Sequence, residues 1–263
     1  MQFSKNKKHQ YLLFFILSIY AVFNGGNSNL LIQINFILVS LLFLYSLKDK
    51  NYNLHYLNFL KRNKLSIIFY FIFLLYLVFQ ILPLPIEFLK IFSPEKYKVI
   101  SKLNIDTSYS SISLDVSNSF FQVFNFITLL ILIFLVKMFF YTEKHKNRFY
   151  LFLSCLGFLS SIIAILFYLN GNPDLSIIKN TYYKNASTGF FINRTMFAVF
   201  LLFSLISSLE LLRNFQIKVN KRKDNFFLKI YIRLFVVFIT IGIVTSFSRI
   251  GNFLFLVTIL SYL

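Results

Sequence analysis

Two arginines are the residues of this sequence best suited to chemistry. Arg194 closes the run Ser187-Thr-Gly-Phe-Phe-Ile-Asn-Arg194, and Arg249 lies in Thr245-Ser-Phe-Ser-Arg-Ile-Gly251. Each stands where an apolar stretch meets a short polar turn. An arginine near the bilayer centre costs about 2.5–3.5 kcal/mol on insertion scales, and less as it nears the interface. The plain reading of one such residue is a side chain that snorkels to the head groups. A pair suggests more. A guanidinium grips phosphate oxygens through two parallel hydrogen bonds, which an ammonium cannot do. Arg194 and Arg249 together would therefore suit an anion that presents phosphate oxygens. Gly189 and Gly251 would let a bulky ligand approach the backbone, and Asn193 and Ser248 are the polar turn residues that immediately precede the two arginines.

The elements that must position this pair are apolar. Hydrophobic residues make up 57% of the 263 residues and charged residues 14%, against roughly 25% charged in soluble domains. No core of this size hides 37 Phe side chains, so much of the apolar surface must face lipid. Runs near the length needed to cross about 30 Å of hydrocarbon fall at 10–26, 30–47, 65–82, 120–141, 149–169, 195–212 and 228–247, with an eighth from Ile250 still running at Leu263. The expected fold is an all-α membrane protein, a polytopic helical bundle of about eight transmembrane helices with the last incomplete, forming a single transmembrane domain. The first run follows Lys5, Lys7 and Lys8 but lacks a small-residue cleavage site, so it reads as a retained signal-anchor.

Positive charge gives the orientation. Of the 27 Lys and Arg residues, 19 fall in or beside the N-terminus and the second, fourth and sixth loops, while acidic residues divide almost evenly. Both chain ends are then cytoplasmic. The basic run Lys218-Val-Asn-Lys-Arg-Lys223 would touch anionic lipid head groups; it lacks the aromatic and glycine interleaving of an RNA-binding patch, and no nucleic-acid partner is expected. Arg194 and Arg249 fall on the opposite side, where every other cation is a lysine.

Two long segments, about 83–119 and 170–194, face outward in this arrangement. The first opens with Pro83-Leu-Pro85, which ends the third span. It continues through Ile86–Phe92, too short to cross and expected as a helix lying in the interface. Gln33, Asn35, Gln122 and Asn125 read as residues that knit helices together, and Glu210 with Arg213 reads as a local pair one helical turn apart. Cys155, alone in an apolar run, reads as a small buried hydrophobe. All three histidines fall on the cytoplasmic side, and Glu87, Glu95, Asp106, Asp115 and Asp174 form no spaced pair. Neither a metal nor a cofactor is expected.

Four stretches carry a family likeness: Gln80-Ile-Leu-Pro-Leu-Pro85 with Ser93-Pro94; Ile112-Ser-Leu-Asp115; Thr188-Gly-Phe-Phe-Ile-Asn-Arg194 with Phe197-Ala198; and Thr245-Ser-Phe-Ser-Arg249 with Gly251. On these, the chain from Gln80 onward resembles the O-antigen ligase and O-antigen polymerase superfamily of bacterial inner-membrane glycosyltransferases. It departs from the family pattern at Thr195, Met196 and Ile250. The resemblance implies a multi-pass protein of the bacterial inner (cytoplasmic) membrane in surface polysaccharide or lipopolysaccharide biosynthesis. Its donor would be a glycan on an undecaprenyl diphosphate carrier, transferred to the hydroxyl of an acceptor glycan or lipid, with Arg194 and Arg249 on the diphosphate. Family members are longer and carry a histidine in a later outward loop, so this chain is expected to be an N-terminal portion or a truncated member. A transporter or flippase for a lipid-linked anion, or a non-catalytic membrane scaffold, are the readings from other classes.

Overall fold

The computed structural model describes residues 2–23, 28–103, 107–173, 183–217 and 226–262. The basic run 218–223 and the acids Asp106 and Asp174 lie outside the described residues. Eleven helices occur among the described residues: α1 (Gln2–Val22), α2 (Asn29–Leu47), α3 (Lys50–Arg62), α4 (Lys64–Phe79), α5 (Ile86–Phe92), α6 (Pro94–Lys102), α7 (Val116–Phe139), α8 (Glu143–Leu169), α9 (Arg194–Ile217), α10 (Phe226–Thr245) and α11 (Arg249–Tyr262). A two-stranded antiparallel pairing, β1 (Leu84–Pro85) with β2 (Tyr109–Ser110), interrupts them, with Leu84 opposite Ser110 and Pro85 opposite Tyr109.

Over the described residues, each of the eight apolar runs falls mainly in one helix: α1, α2, α4, α7, α8, α9, α10 and α11 in turn. Five helices (α2, α7, α8, α9 and α10) are long and apolar enough to cross a membrane. The end of α3 and α4 together give a sixth if counted as one span, although they meet at 86°. The apolar part of α1, Lys8–Val22, and α11 are shorter. α4 has no buried residue, and Leu65, Phe69 and Ile72 stand open on its surface; in water that surface would be an aggregation site, in lipid it is solvated. The chain is a multi-pass, all-α membrane protein.

The chain divides into two compact units, one of residues 1–27 with 139–263 and one of residues 28–138. In the first, α8, α9 and α10 pack most closely because small residues line their crossings. A Cβ on Gly157 of α8 would collide with Ser204 of α9, and one on Gly242 of α10 would lie 2.8 Å from Leu201 Cδ1 and 3.0 Å from Ser161 Cβ. Close backbone approach of this kind is what holds helices together where lipid removes the hydrophobic drive. Leu201, Leu205, Ile239 and Ile243 fill the space around these contacts. α1 joins through Phe14, which stacks on Phe152 with ring centroids 4.2 Å apart and on Phe140 at 5.6 Å. The Gln10 amide also donates to the carbonyl of Phe139 at 2.9 Å. The expected pair on α9 forms, with Arg213 Nη1 3.6 Å from Glu210 Oε1. Tyr262 of α11 donates to the same carboxylate at 2.8 Å.

In the second unit, the 83–119 segment is folded in its own right. The helix expected at Ile86–Phe92 occupies those residues. α6, with Pro94 at its first position as the fixed φ of proline favours, and the strand pair were not anticipated. Lys96 ties them together by donating to the carbonyl of Ser111 at 2.6 Å and to its hydroxyl at 3.2 Å. Burial pushes the Lys96 ammonium below its ordinary pKa. Asp115 Oδ1 accepts from the Asn118 backbone at 3.0 Å and so caps α7. Of the polar residues expected to knit helices, Gln33 and Gln122 are exposed. Asn35 is buried, with both amide atoms unpaired among the described residues.

Candidate functional site

The two arginines occupy equivalent positions: each is the first residue of a helix, Arg194 of α9 and Arg249 of α11. The residues before them act as caps. Asn193 Oδ1 accepts from the Thr195 backbone at 2.8 Å, and Ser248 Oγ accepts from the Gly251 backbone at 3.1 Å. These bonds satisfy donors that the first turn of a helix otherwise leaves open. The capping hydroxyl of Ser248 also donates to Thr195 Oγ1 at 3.3 Å, so the two capped helix ends touch directly beside the arginines. One turn further in, Gly251 faces Ala198 so closely that a Cβ there would overlap the alanine methyl. Gly251 is what allows α11 to lie against α9.

Electrostatics at this junction favour an anion. The N-terminus of a helix carries about half a positive charge, and a cation in its first turn is disfavoured by roughly 0.3–1 kcal/mol at an exposed site. Here two such ends meet, each with its own guanidinium. The ion pairs among the described residues join Lys98 to Glu95, Lys146 to Glu143 and Arg213 to Glu210, and none involves Arg194 or Arg249. Arg249 is exposed, while Arg194 is half-buried and its guanidinium carbon lies 5.2 Å from the centroid of the Tyr183 ring. A cation at that distance over the ring face is attracted by the ring's electrons, which holds the Arg194 head group at the site.

The loop leading into Arg194 is built from below. Gly189 adopts φ +56°, a conformation in which a side chain is strained. A Cβ on it would press on Ala164 at 3.2 Å and Phe197 at 3.3 Å. Ser187 fastens the loop to the end of α10: its backbone donates to the Thr245 carbonyl at 3.0 Å, and the two hydroxyls lie 2.8 Å apart. Asn172, also left-handed at φ +53°, shares the two N–H groups of its side-chain amide among the carbonyls of Tyr183, Lys184 and Ala186 at 2.9–3.0 Å. Phe247, at φ +48°, turns the chain between α10 and Arg249, an unusual conformation for a bulky residue.

All six residues selected from the sequence (Gly189, Asn193, Arg194, Ser248, Arg249 and Gly251) therefore belong to one connected structure at the starts of α9 and α11. Sequence reasoning missed Tyr183, Thr195, Ser187 and Asn172. Only Asn172 carried a local signal, as part of the turn-forming Asn170-Gly-Asn-Pro173. Replacing Asn172 by Ala is expected to lower stability by about 2–3 kcal/mol, since the loop carbonyls lose the two N–H groups they share. Trypsin should then cut after Lys184 at temperatures where the parent chain resists. An unchanged melting temperature and cleavage rate would show that the amide does not hold the loop.

Among the described residues no group of three His, Cys, Asp or Glu side chains is placed to hold a metal ion. Comparison with protein-family models, with curated proteins and with solved structures gives no match to this chain. The class the fold defines is thus the multi-pass α-helical membrane protein, and the paired arginine-bearing helix ends are its candidate anion site.

Proposed function

We propose that the chain is an O-antigen ligase-like glycosyltransferase of the bacterial inner membrane, with its N-terminus cytoplasmic and the starts of α9 and α11 on the outer side. It works on a glycan carried by undecaprenyl diphosphate. The observation that carries this reading is the direct Ser248–Thr195 contact, which places two capped helix ends, each opening with an arginine, side by side. The resemblance at Thr188–Arg194 and Thr245–Gly251 falls on those same residues.

In this mechanism the acceptor hydroxyl attacks the anomeric carbon of the donor sugar and gives up its proton to a general base. The bond from that carbon to the phosphate oxygen breaks, and undecaprenyl diphosphate leaves with the electron pair. Arg194, Arg249 and the two helix ends hold the diphosphate and stabilise the charge that develops on the phosphate oxygen released from the anomeric carbon. Such donors act without reorganising, which is where electrostatic catalysis gains over water. Gly189 and Gly251 act from beneath the site: Gly189 lets the loop settle on Ala164 and Phe197, and Gly251 lets α11 approach Ala198 of α9, which sets the spacing of the two arginines.

A transporter would be expected to have helices broken near the middle of the bilayer. The 86° bend at Asn63 does not favour that reading, because α3 on one side of it is polar and charged. It has the character of a surface helix turning into a span.

The test uses the full chain in phosphatidylcholine nanodiscs, titrated with undecaprenyl diphosphate and with undecaprenyl phosphate and read by native mass spectrometry. The diphosphate is expected to bind at least tenfold more tightly. Equal affinity removes the clamp. Tight binding without transfer of a labelled glycan from its undecaprenyl carrier to an acceptor removes the transferase and leaves a carrier-binding protein.

A further inference from the structure

The second unit holds a cleft of about 440 Å³ that the proposed reaction does not use. Its walls come from the end of α3, the first turns of α4, the last turns of α7 and Phe43 of α2. The lining is graded. Lys137, Asn63 and Ser66 stand at one end, while Phe71, Leu74 and Leu130 lie further along the helices. From Asn63 to Leu74, α4 advances about 16 Å at 1.5 Å per residue, so the lining runs lengthwise along the helix in a partly open cleft.

The polar end is strongly basic. Lys137 Nζ lies 5.3 Å from the centroid of the Phe59 ring, which places the ammonium at the α3–α4 corner. Lys61, Arg62 and Lys64 stand exposed at that corner. No acidic residue occurs anywhere in α2, α3, α4 or α7, so these four cations have no carboxylate on the elements that form the cleft. Asn63 Nδ2 is occupied, donating to the Phe59 carbonyl at 2.9 Å, and so fixes the bend. A cationic mouth leading into an apolar slot matches an amphiphile with an anionic head and a hydrocarbon tail. Charge complementarity excludes a zwitterionic lipid as the preferred occupant.

We propose that the α3–α4–α7 cleft binds one anionic glycerophospholipid, its phosphate beside Lys137 and the Lys61–Arg62–Lys64 corner and one acyl chain along Phe71, Leu74 and Leu130. The bound lipid fills the angle between the surface helix and the span and holds the bend at Asn63. This site is independent of the arginine pair.

Native mass spectrometry of the full chain in detergent, titrated with dioleoyl phosphatidylglycerol and with dioleoyl phosphatidylcholine, tests it. At least a tenfold preference for phosphatidylglycerol is expected. Lys137→Gln should lower that affinity about fivefold and leave phosphatidylcholine unchanged, in keeping with one cation near a lipid head group, while Lys137→Arg retains it. Ile131→Trp, which fills the slot, should weaken both lipids while the circular-dichroism spectrum stays helical. Soluble glycerol phosphate should not compete. Equal affinity for the two lipids, a Lys137→Gln variant that binds like the parent, competition by glycerol phosphate, or a dimer in place of a lipid adduct would each overturn the proposal. Arg194→Gln with Arg249→Gln should leave phosphatidylglycerol binding intact, which separates this outcome from the fate of the diphosphate site.

Discussion

Replacing either Arg194 or Arg249 with Gln is expected to weaken undecaprenyl diphosphate binding by roughly 10- to 100-fold. A hydrogen bond to a charged group contributes about 1.5–3 kcal/mol, and each 1.4 kcal/mol is a factor of ten. The double variant is the more informative one. If both guanidiniums grip one diphosphate, removing the second after the first should have a different effect from removing it alone, with a coupling of at least about 0.5 kcal/mol. Independent snorkelling side chains would give strictly additive and near-zero effects. Lysine at either position keeps the charge and loses the planar fork, so Arg194→Lys should fall between parent and Gln. Parent-like affinity in the double Gln variant would end the clamp, whatever the fold does. Tyr183 sharpens the reading further. Its ring lies under the Arg194 guanidinium and under no other cation among the described residues, so Tyr183→Leu should disturb the first site and spare Arg249.

A methyl group at Gly251 is expected to do nearly as much damage without touching a charge. Gly251→Ala would drive its Cβ into that of Ala198, and overpacking of a close contact typically costs about 1–3 kcal/mol. Helices α9 and α11 must then separate, and with them the two helix ends and the Ser248–Thr195 bond. Diphosphate binding should drop about tenfold although both arginines remain. Ala198→Gly in the same chain removes the opposing methyl, and the pair should regain most of the melting temperature and the affinity. Rescue of stability without rescue of binding would mean that the spacing of the two ends is not what the ligand reads. Normal binding by Gly251→Ala alone would mean the same.

The helices were legible because lipid-facing segments are apolar on every side, and composition alone marks them. α7 and α8 fall where the runs 120–141 and 149–169 lie, and Ile86–Phe92 was recognisable from a proline turn followed by seven residues too few to span. The 86° corner at Asn63 was not, since Lys61-Arg-Asn-Lys64 reads equally well as an ordinary loop and no residue type there announces the angle that the Asn63–Phe59 bond accompanies. α6 and the strand pair were hidden for a different reason: their anchor is Lys96 on the Ser111 carbonyl, a tertiary contact between residues 15 apart in sequence. At the candidate site the arginines, Asn193 and Ser248 stood out by type. Their adjacency did not, because it depends on Thr195 meeting Ser248 across 53 residues. Asn35 shows the opposite error. Its type suggested a hydrogen bond between helices, and its buried amide makes none among the described residues.

Serine is frequent in the closely packed helices, and its bonding has a consequence for how the chain enters the bilayer. Ser154 donates to the Tyr150 carbonyl at 2.7 Å, Ser161 to Phe158 at 2.8 Å, Ser207 to Phe203 at 2.8 Å and Ser208 to Ser204 at 2.9 Å. Each hydroxyl is satisfied three or four residues back in its own helix. These four hydroxyls need no neighbour, so the serines add no polar group that must wait in hydrocarbon for a partner when the helices leave an insertion channel. Association afterwards is then sorted by shape, with glycine on one helix seeking serine or leucine on the next. At these serines the order of assembly is not dictated by hydrogen-bond matching, and the side-chain bonds that do join α8, α9 and α11, Asn147 with Asn214 and Glu210 with Tyr262, lie near the helix ends.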